Sequence, residues 1–227
     1  MTTRISIAMA TYNGAAFLEE QLRSLSSQKI LPQELWVSDD GSTDATLAIL
    51  EKYSTTAPFP VRIEGNSKRL GYGRNFLKAA LRCEAGYIAF CDQDDVWRND
   101  KLQLVTDAIE KMSPDILVHG GIVVDHKLAS LGFRHPHIQS SGWFEPTQLH
   151  EDHFWPGYAL VIRRESLLSW GVDEVVADEK LCPNTFAHDR WVIEAVKRGA
   201  SCFQIPDELV QYRQHTSNHI GFSGVEK

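Results

Sequence analysis

The chain has 227 residues, with 23 Lys and Arg against 30 Asp and Glu, and 43% hydrophobic content. That length suits one domain with a sizeable core, and 23% charged residues is ordinary for a globular protein. A formal charge of −7 argues against broad contact with nucleic-acid phosphates, so no nucleic-acid partner is expected.

Cys83, Cys91, Cys182 and Cys202 lie far apart, with no C-x-x-C pair. This is the pattern of reduced, mostly buried thiols in a cytoplasmic protein, not of a disulfide framework or a zinc site. The N-terminus enters Ile5-Ser6-Ile7-Ala8-Met9 too early for a secretory signal. No apolar run approaches membrane-spanning length, so any membrane contact is expected to be peripheral, at the inner face.

Residues 4–10 read as a first strand, left through Thr11-Tyr12-Asn13-Gly14, with Asn13 placed to N-cap the next helix. Leu18, Leu22 and Leu25 form one buried stripe of that helix. Leu35-Trp36-Val37 is a second strand, ending in Ser38-Asp39-Asp40-Gly41-Ser42-Thr43-Asp44. A third unit runs from Val61-Arg62-Ile63 through Gly71-Tyr72-Gly73-Arg74-Asn75 into a helix carrying Phe76, Leu77, Ala80 and Leu81. The fourth strand, Tyr87-Ile88-Ala89-Phe90-Cys91, stops at Asp92-Gln93-Asp94-Asp95, three carboxylates within four positions. Leu102, Val105, Ile109 and Met112 then repeat at helical spacing.

Four strand-loop-helix alternations imply right-handed crossovers and a mostly parallel sheet, an α/β fold. The second half is less regular. Residues 116–119 and 122–124 read as two strands, 126–156 as a polar and aromatic stretch, and 158–162 as a strand. Residues 165–170 read as a short helix, 172–187 as loop, 189–198 as a helix, and 202–213 as one or two closing strands. No linker divides the chain, so residues 1–227 read as one domain. Residues 1–112 form its regular, alternating half and 113–227 its less regular half.

In a parallel sheet the loops after the first, second and fourth strands converge on one edge, where ligands bind. Taken alone, Asp92–Asp95 is either a solvated acidic turn or a cation site. Like charges this close raise one another's pKa, and a Mg²⁺-type cation takes one or two carboxylates plus substrate phosphates. Helix N-termini at the same edge suit a nucleoside diphosphate. Gly71-Tyr72-Gly73 lacks the third glycine of a dinucleotide fingerprint and follows the third strand, which rejects an NAD-type enzyme.

In this order, Ala10-Thr11-Tyr12-Asn13, Ser38–Asp44, Asn66 through Asn75 and Asp92-Gln93-Asp94-Asp95-Val96-Trp97 resemble the motifs of family 2 glycosyltransferases. His188-Asp189-Arg190-Trp191 and Tyr212-Arg213-Gln214-His215 are similar to that family's C-terminal motifs. The D-Q-D-D-x-W and H-D-x-W forms resemble its rhamnosyltransferase-like branch in bacterial surface-polysaccharide synthesis. The resemblance implies the GT-A fold, a Rossmann-like sheet with helices on both faces. It also implies inverting transfer from a nucleotide-diphosphate sugar to the hydroxyl of a glycan or lipid-linked glycan, with Mn²⁺ or Mg²⁺.

On that resemblance Thr11, Tyr12 and Asn13 line the nucleotide pocket, and Asp39 or Asp40 takes a base N–H. Arg74 and Asn75 sit by the donor, with Arg74 a candidate for phosphate. Asp92 reaches the ribose or the metal, and Asp94 is the main metal ligand. His215 either completes the metal shell or touches the diphosphate, or it is a solvated side chain in a polar tail. Asp189 is the general base, the N-cap of its helix, or both. Asp95 is a third ligand, a cap, or the partner of Lys101. Two other activities compete: a sugar-phosphate nucleotidyltransferase, and a non-catalytic nucleotide-sugar or glycan-binding family member. The loop after the first strand lacks the glycine-rich, basic signature the former would normally have.

Overall fold

The computed structural model describes residues 3–150, 153–178, 186–216 and 218. Strands β1 (Ile5–Thr11), β2 (Glu34–Asp39), β3 (Val61–Gly65) and β4 (Tyr87–Cys91) alternate with helices α1 (Ala15–Ser26), α2 (Thr46–Ser54) and α3 (Tyr72–Arg82). The apolar runs of β1 and β4 are buried along their whole length, as strands covered on both faces must be. All four pair in parallel in the spatial order β3-β2-β1-β4. The order reverses between β1 and β4, which makes that crevice the switch point where ligands bind. Right-handed crossovers send α1 and α2 to one face and α3 to the other. Accordingly α1 packs on α2, whereas α3 packs on two later helices, α6 (Val172–Ala177) and α7 (His188–Lys197).

Strand β5 (Val96–Trp97) and α4 (Lys101–Met112) follow the acidic loop. Residues 116–124 form one strand, β6, not two. A Cβ on Gly121 would lie 2.8 Å from the Tyr158 ring and 3.0 Å from the His135 carbonyl. Gly121 therefore admits Tyr158 and His135 against the strand; it does not break it. The aromatic stretch contains two further strands, β7 (Ser130–Arg134) and β8 (Gly142–Phe144).

Strand β9 (Leu160–Arg163) inserts antiparallel between β4 and β6, and α5 (Arg164–Ser169) follows it. The first part of the expected 172–187 loop is α6, which starts behind Gly171 at φ +77° with Asp173 and Glu174 in its first turn; acids there complement the helix dipole. Residues 179–185, with Cys182, lie outside the described residues. Cys83, Cys91 and Cys202 are buried free thiols.

The closing segment is one strand, β10 (Cys202–Arg213), parallel to β6 and shifted in register between Ile205 and Glu208. Pro206 falls in that shift, where its missing N–H breaks no ladder. Two antiparallel steps through β9 return β6, and hence β10, to the direction of β4. The carboxyl end of β10 therefore arrives at the edge that carries the acids. There Val210 and Gln211 pair antiparallel with Trp97 and Val96 of β5. Among the described residues ten strands form one sheet, and no helix is long and apolar enough to cross a membrane.

Candidate active site

The loop after β2 is built around Asp39, which is fully buried. Its Oδ2 accepts from Thr11 Oγ1 (2.7 Å) and Ser42 Oγ (2.6 Å), and its Oδ1 from the Gly41 and Ser42 amides (3.1 and 2.8 Å). Four donors occupy this carboxylate, so it shapes the loop, and the cleft is lined by Asp40 instead. Asp40 also receives the Asn66 amide (3.0 Å) and the Leu70 and Gly71 N–H groups (2.7 and 2.8 Å). It thereby holds the chain that enters α3 through Gly71, at φ +81°.

Asn75 lies beside it on the cleft wall and donates to the Thr11 carbonyl at 3.2 Å. Arg74 does not reach the cleft. Its guanidinium is turned away and donates to the carbonyls of Leu70 (3.2 Å) and Asp178 (2.6 Å). The cation that does line the cleft is Arg69, stacked 3.9 Å over the half-exposed Tyr12 ring. No motif in the sequence distinguished Arg69 from other loop cations; only the fold brings it there.

Asn13 is not the N-cap of α1; Gly14 holds that position. Asn13, at φ +48°, instead accepts the Thr43 N–H at 2.8 Å. The first amides of α1, on Gly14 and Ala15, go to Thr46 Oγ1 (2.8 Å) and Asp44 Oδ2 (3.1 Å). The start of α1 is thus already engaged by a hydroxyl and an acidic side chain. Gln93, also missed, clamps the loops after β1 and β4 together. Its Oε1 accepts from Tyr12 N–H (3.0 Å) and its Nε2 donates to Tyr12 O (3.1 Å). A Cβ on Gly14 would lie 2.1 Å from Gln93 Oε1, so the clamp requires glycine there.

The acids after β4 are not equivalent. Asp92 is half-buried, and burial, then the Asp94 and Asp189 carboxylates, push its pKa up to about 8. Asp94 lies on the cleft with its Oδ2 2.9 Å from His215 Nε2. Asp95 is fully buried. Its Oδ1 accepts the Arg213 N–H at 2.9 Å, while its Oδ2 has no partner. Burial, with Asp92 and Asp94 nearby, drives its pKa well up. The expected ion pair to Lys101 does not form. Lys101 Nζ donates to the Tyr158 carbonyl (3.0 Å) and sits 3.6 Å over the Trp97 ring. Burial brings its pKa down to about 7.

Asp189 is 4% exposed and lines the cleft from the first turn of α7. The N-cap position belongs to Ala187, so Asp189 is not the cap. Its Oδ1 accepts the Arg190 N–H at 2.7 Å. The preceding His188 ring packs between Phe76 and Phe90, at centroid distances of 4.5 and 5.1 Å, and burial pushes its pKa down.

These groups enclose a cleft of about 530 Å³ at the β1–β4 switch point, lined by Thr11, Tyr12, Asn13, Asp40, Asp92, Asp94, Asp189 and His215. Among the described residues no group of three or more His, Cys, Asp or Glu side chains is placed to hold a metal ion on its own. Asp94 and His215, with Asp92 on the same cleft, would hold a hard divalent cation only together with oxygens of a diphosphate. The observation behind the fit is the donor set: Asp92, Asp94 and His215 all line one cleft, with His215 Nε2 2.9 Å from Asp94 Oδ2.

The sequence profile of Glycosyl transferase family 2 matches residues 6–167. The dTDP-rhamnosyl transferase RfbG of Shigella flexneri is 27% identical over 222 residues, covering 94% of this chain and 73% of the relative. The abequosyltransferase RfbV of Salmonella typhimurium is 33% identical over 103 residues, 44% of this chain and 31% of the relative. Among solved structures, TarS of S. aureus in complex with UDP-GlcNAc superposes with a TM-score of 0.78 at 21% identity, covering 96% of this chain and 60% of that one. The chain thus spans less than two thirds of the length of RfbV and of TarS. With the profile match covering most of its length and this superposition giving its architecture, the chain belongs to glycosyl transferase family 2 and has the GT-A fold.

Proposed function

We propose that the domain transfers a sugar from a nucleoside-diphosphate sugar to an acceptor hydroxyl with inversion. It requires Mn²⁺ or Mg²⁺ and works in the synthesis of a surface polysaccharide on a glycan or lipid-linked glycan. The observation that carries this reading is the convergence of Asp92, Asp94 and Asp189 on one cleft whose wall also holds Arg69. Four carboxylates line that cleft, counting Asp40, so a diphosphate would be repelled without a cation. Held by Asp92, Asp94 and His215, the metal would offset the charge of the diphosphate leaving group.

The protein's own groups do the rest. The Tyr12 ring, backed by Arg69, offers a flat face at the cleft mouth for a nucleobase. Asp189 takes the acceptor's hydroxyl proton as the sugar's anomeric carbon changes partner. Its place in the first turn of α7 fixes it on the cleft wall. A rhamnosyl donor is the first to test, because the relative that covers 94% of the chain is a rhamnosyl transferase.

Calorimetry with dTDP and UDP tests the reading. Affinity should rise when Mn²⁺ is added, and Asp94→Ala should abolish that rise. No nucleotide binding with or without metal would end the proposal. Metal-stimulated hydrolysis of the donor separates a transferase from a family member that only binds.

A further inference from the structure

Arg213 closes β10 at 2% exposure, and nothing above uses its side chain. Its guanidinium touches three other segments. Nε donates to the Asp94 main-chain carbonyl (2.7 Å), Nη1 to the His126 carbonyl (2.8 Å), and Nη2 to Glu20 Oε2 (2.5 Å). Its own N–H goes to Asp95 Oδ1 at 2.9 Å. The guanidinium carbon lies 4.7 Å over the Phe17 ring, and the His215 ring stacks on the same Phe17 at 4.5 Å. Two residues beyond Arg213, His215 Nε2 meets Asp94 Oδ2 at 2.9 Å. Asp94 is therefore held through its backbone by Arg213 and through its carboxylate by His215.

We propose that Arg213, anchored by Asp95, is a positioning residue that sets His215 against Asp94 before any donor or cation arrives. The inference rests on the reading of Asp94 and His215 as cation ligands. Arg213 is not among the cleft-lining groups, so it is not a phosphate-binding cation. Its planar fork of donors spans the acidic loop, the turn after β6 and α1 at once, which a lysine ammonium cannot do. Ordering the end of a strand costs conformational entropy. With that segment already ordered by Arg213, cation binding does not have to supply this cost. Asp95, the third acid of the loop, thereby gains a role as the anchor of the β10 main chain.

The test is a double-mutant cycle on Mn²⁺ affinity. Free Mn²⁺ would be measured by electron paramagnetic resonance for the parent, Arg213→Lys, His215→Ala and the double variant, with circular dichroism confirming the fold. Each single change should weaken Mn²⁺ binding roughly 10–100-fold, the range for losing a ligand or its support. The double variant should lose far less than the product of the two, because the residues act on one geometry. Multiplicative losses, or parent affinity in Arg213→Lys, would overturn the positioning role while leaving the metal site intact. No Mn²⁺ binding by the parent, or no effect of His215→Ala, would overturn the cation reading together with it. If Arg213→Lys does not fold, Asp95→Asn carries the same cycle: it keeps the buried volume, and loss of the anchor is non-multiplicative with His215→Ala whereas loss of the carboxyl's charge alone is multiplicative.

Discussion

The loops after β2 and β4 flank β1 on either side, and both are rich in aspartate. They treat their charge in opposite ways. In the first, Asp39 and Asp40 accept seven hydrogen bonds between them from amides, hydroxyls and the Asn66 side chain. Burial pushes Asp44 up, but the Thr46 side chain and the Thr46 and Ala15 amides outweigh it and hold its pKa below the usual range. In the second loop, burial and mutual repulsion raise Asp92 and Asp95. A carboxylate quenched by the protein's own donors is scaffold. One left facing its neighbours across a cleft is available to a ligand, and it costs stability until the ligand comes.

Three changes break or sharpen this contrast. The largest effect is expected from Asp189→Asn, across the cleft from the unquenched loop. The turnover rate should fall by roughly 10²–10⁴-fold, the usual contribution of a positioned base. Donor affinity by calorimetry should stay at the parent value; loss of both together would make Asp189 a structural residue of α7.

Next comes Asp39→Ala in the quenched loop. It orphans the buried Thr11 hydroxyl and the Gly41 and Ser42 amides. An unsatisfied buried group costs about 1–3 kcal/mol; Thr11 is buried whereas Gly41 and Ser42 reach water, so urea unfolding should show a loss of about 1–3 kcal/mol. A loss under about 0.5 kcal/mol, the range of ordinary surface changes, would show that Asp39 is not scaffold.

The smallest effect is expected from Asp92→Asn in metal-free protein, and its sign is opposite. Folding raises the Asp92 pKa from 3.8 to about 8. The folded state therefore binds more protons than the unfolded chain between those values, and ionising the group costs stability as pH rises through that window. Asparagine has nothing to ionise. Its stability advantage over the parent should grow from pH 4 to pH 8, by at least about 1 kcal/mol, and level off above. Measuring the difference between the two proteins cancels the histidines that titrate in the same range. Saturating Mn²⁺ should reverse the sign, because only the parent then has a cation to hold. A pH-independent difference would mean that Asp92 is not repelled by its neighbours.

The first half of the fold was legible because each strand there is a local apolar run and each helix a local stripe, and because parallel pairing puts their ends together without further information. The second half depends on pairings between distant segments. Gly120 and Gly121 look like a strand break until Tyr158 and His135 are seen packed on Gly121. Residues 172–177 are too few to show a helical period, yet they form α6. At the site, Asp39 and Asp95 stay buried behind the cleft, while Asp40, Asp92, Asp94, Thr11, Tyr12, Asn13, Asn75, Asp189 and His215 come together on it. Arg74 does not, because Leu70 and Asp178 offer its guanidinium carbonyls on the other side. Arg69 was invisible in the sequence, since a loop cation carries no pattern, and Gln93 stood in the D-Q-D-D-x-W motif with nothing local to give it a role.

The sequence by itself determined the parallel α/β core, the edge where its strands end, and the family to which its ordered motifs belong. The first two follow from periodicities that are local in the chain, the third from the resemblance of its ordered motifs. Tertiary structure alone decided which of the clustered carboxylates are scaffold and which face the cleft. The fate of a carboxylate depends on the donors within about 3 Å of it, and here those donors come from positions as far apart as Asp95 and Arg213.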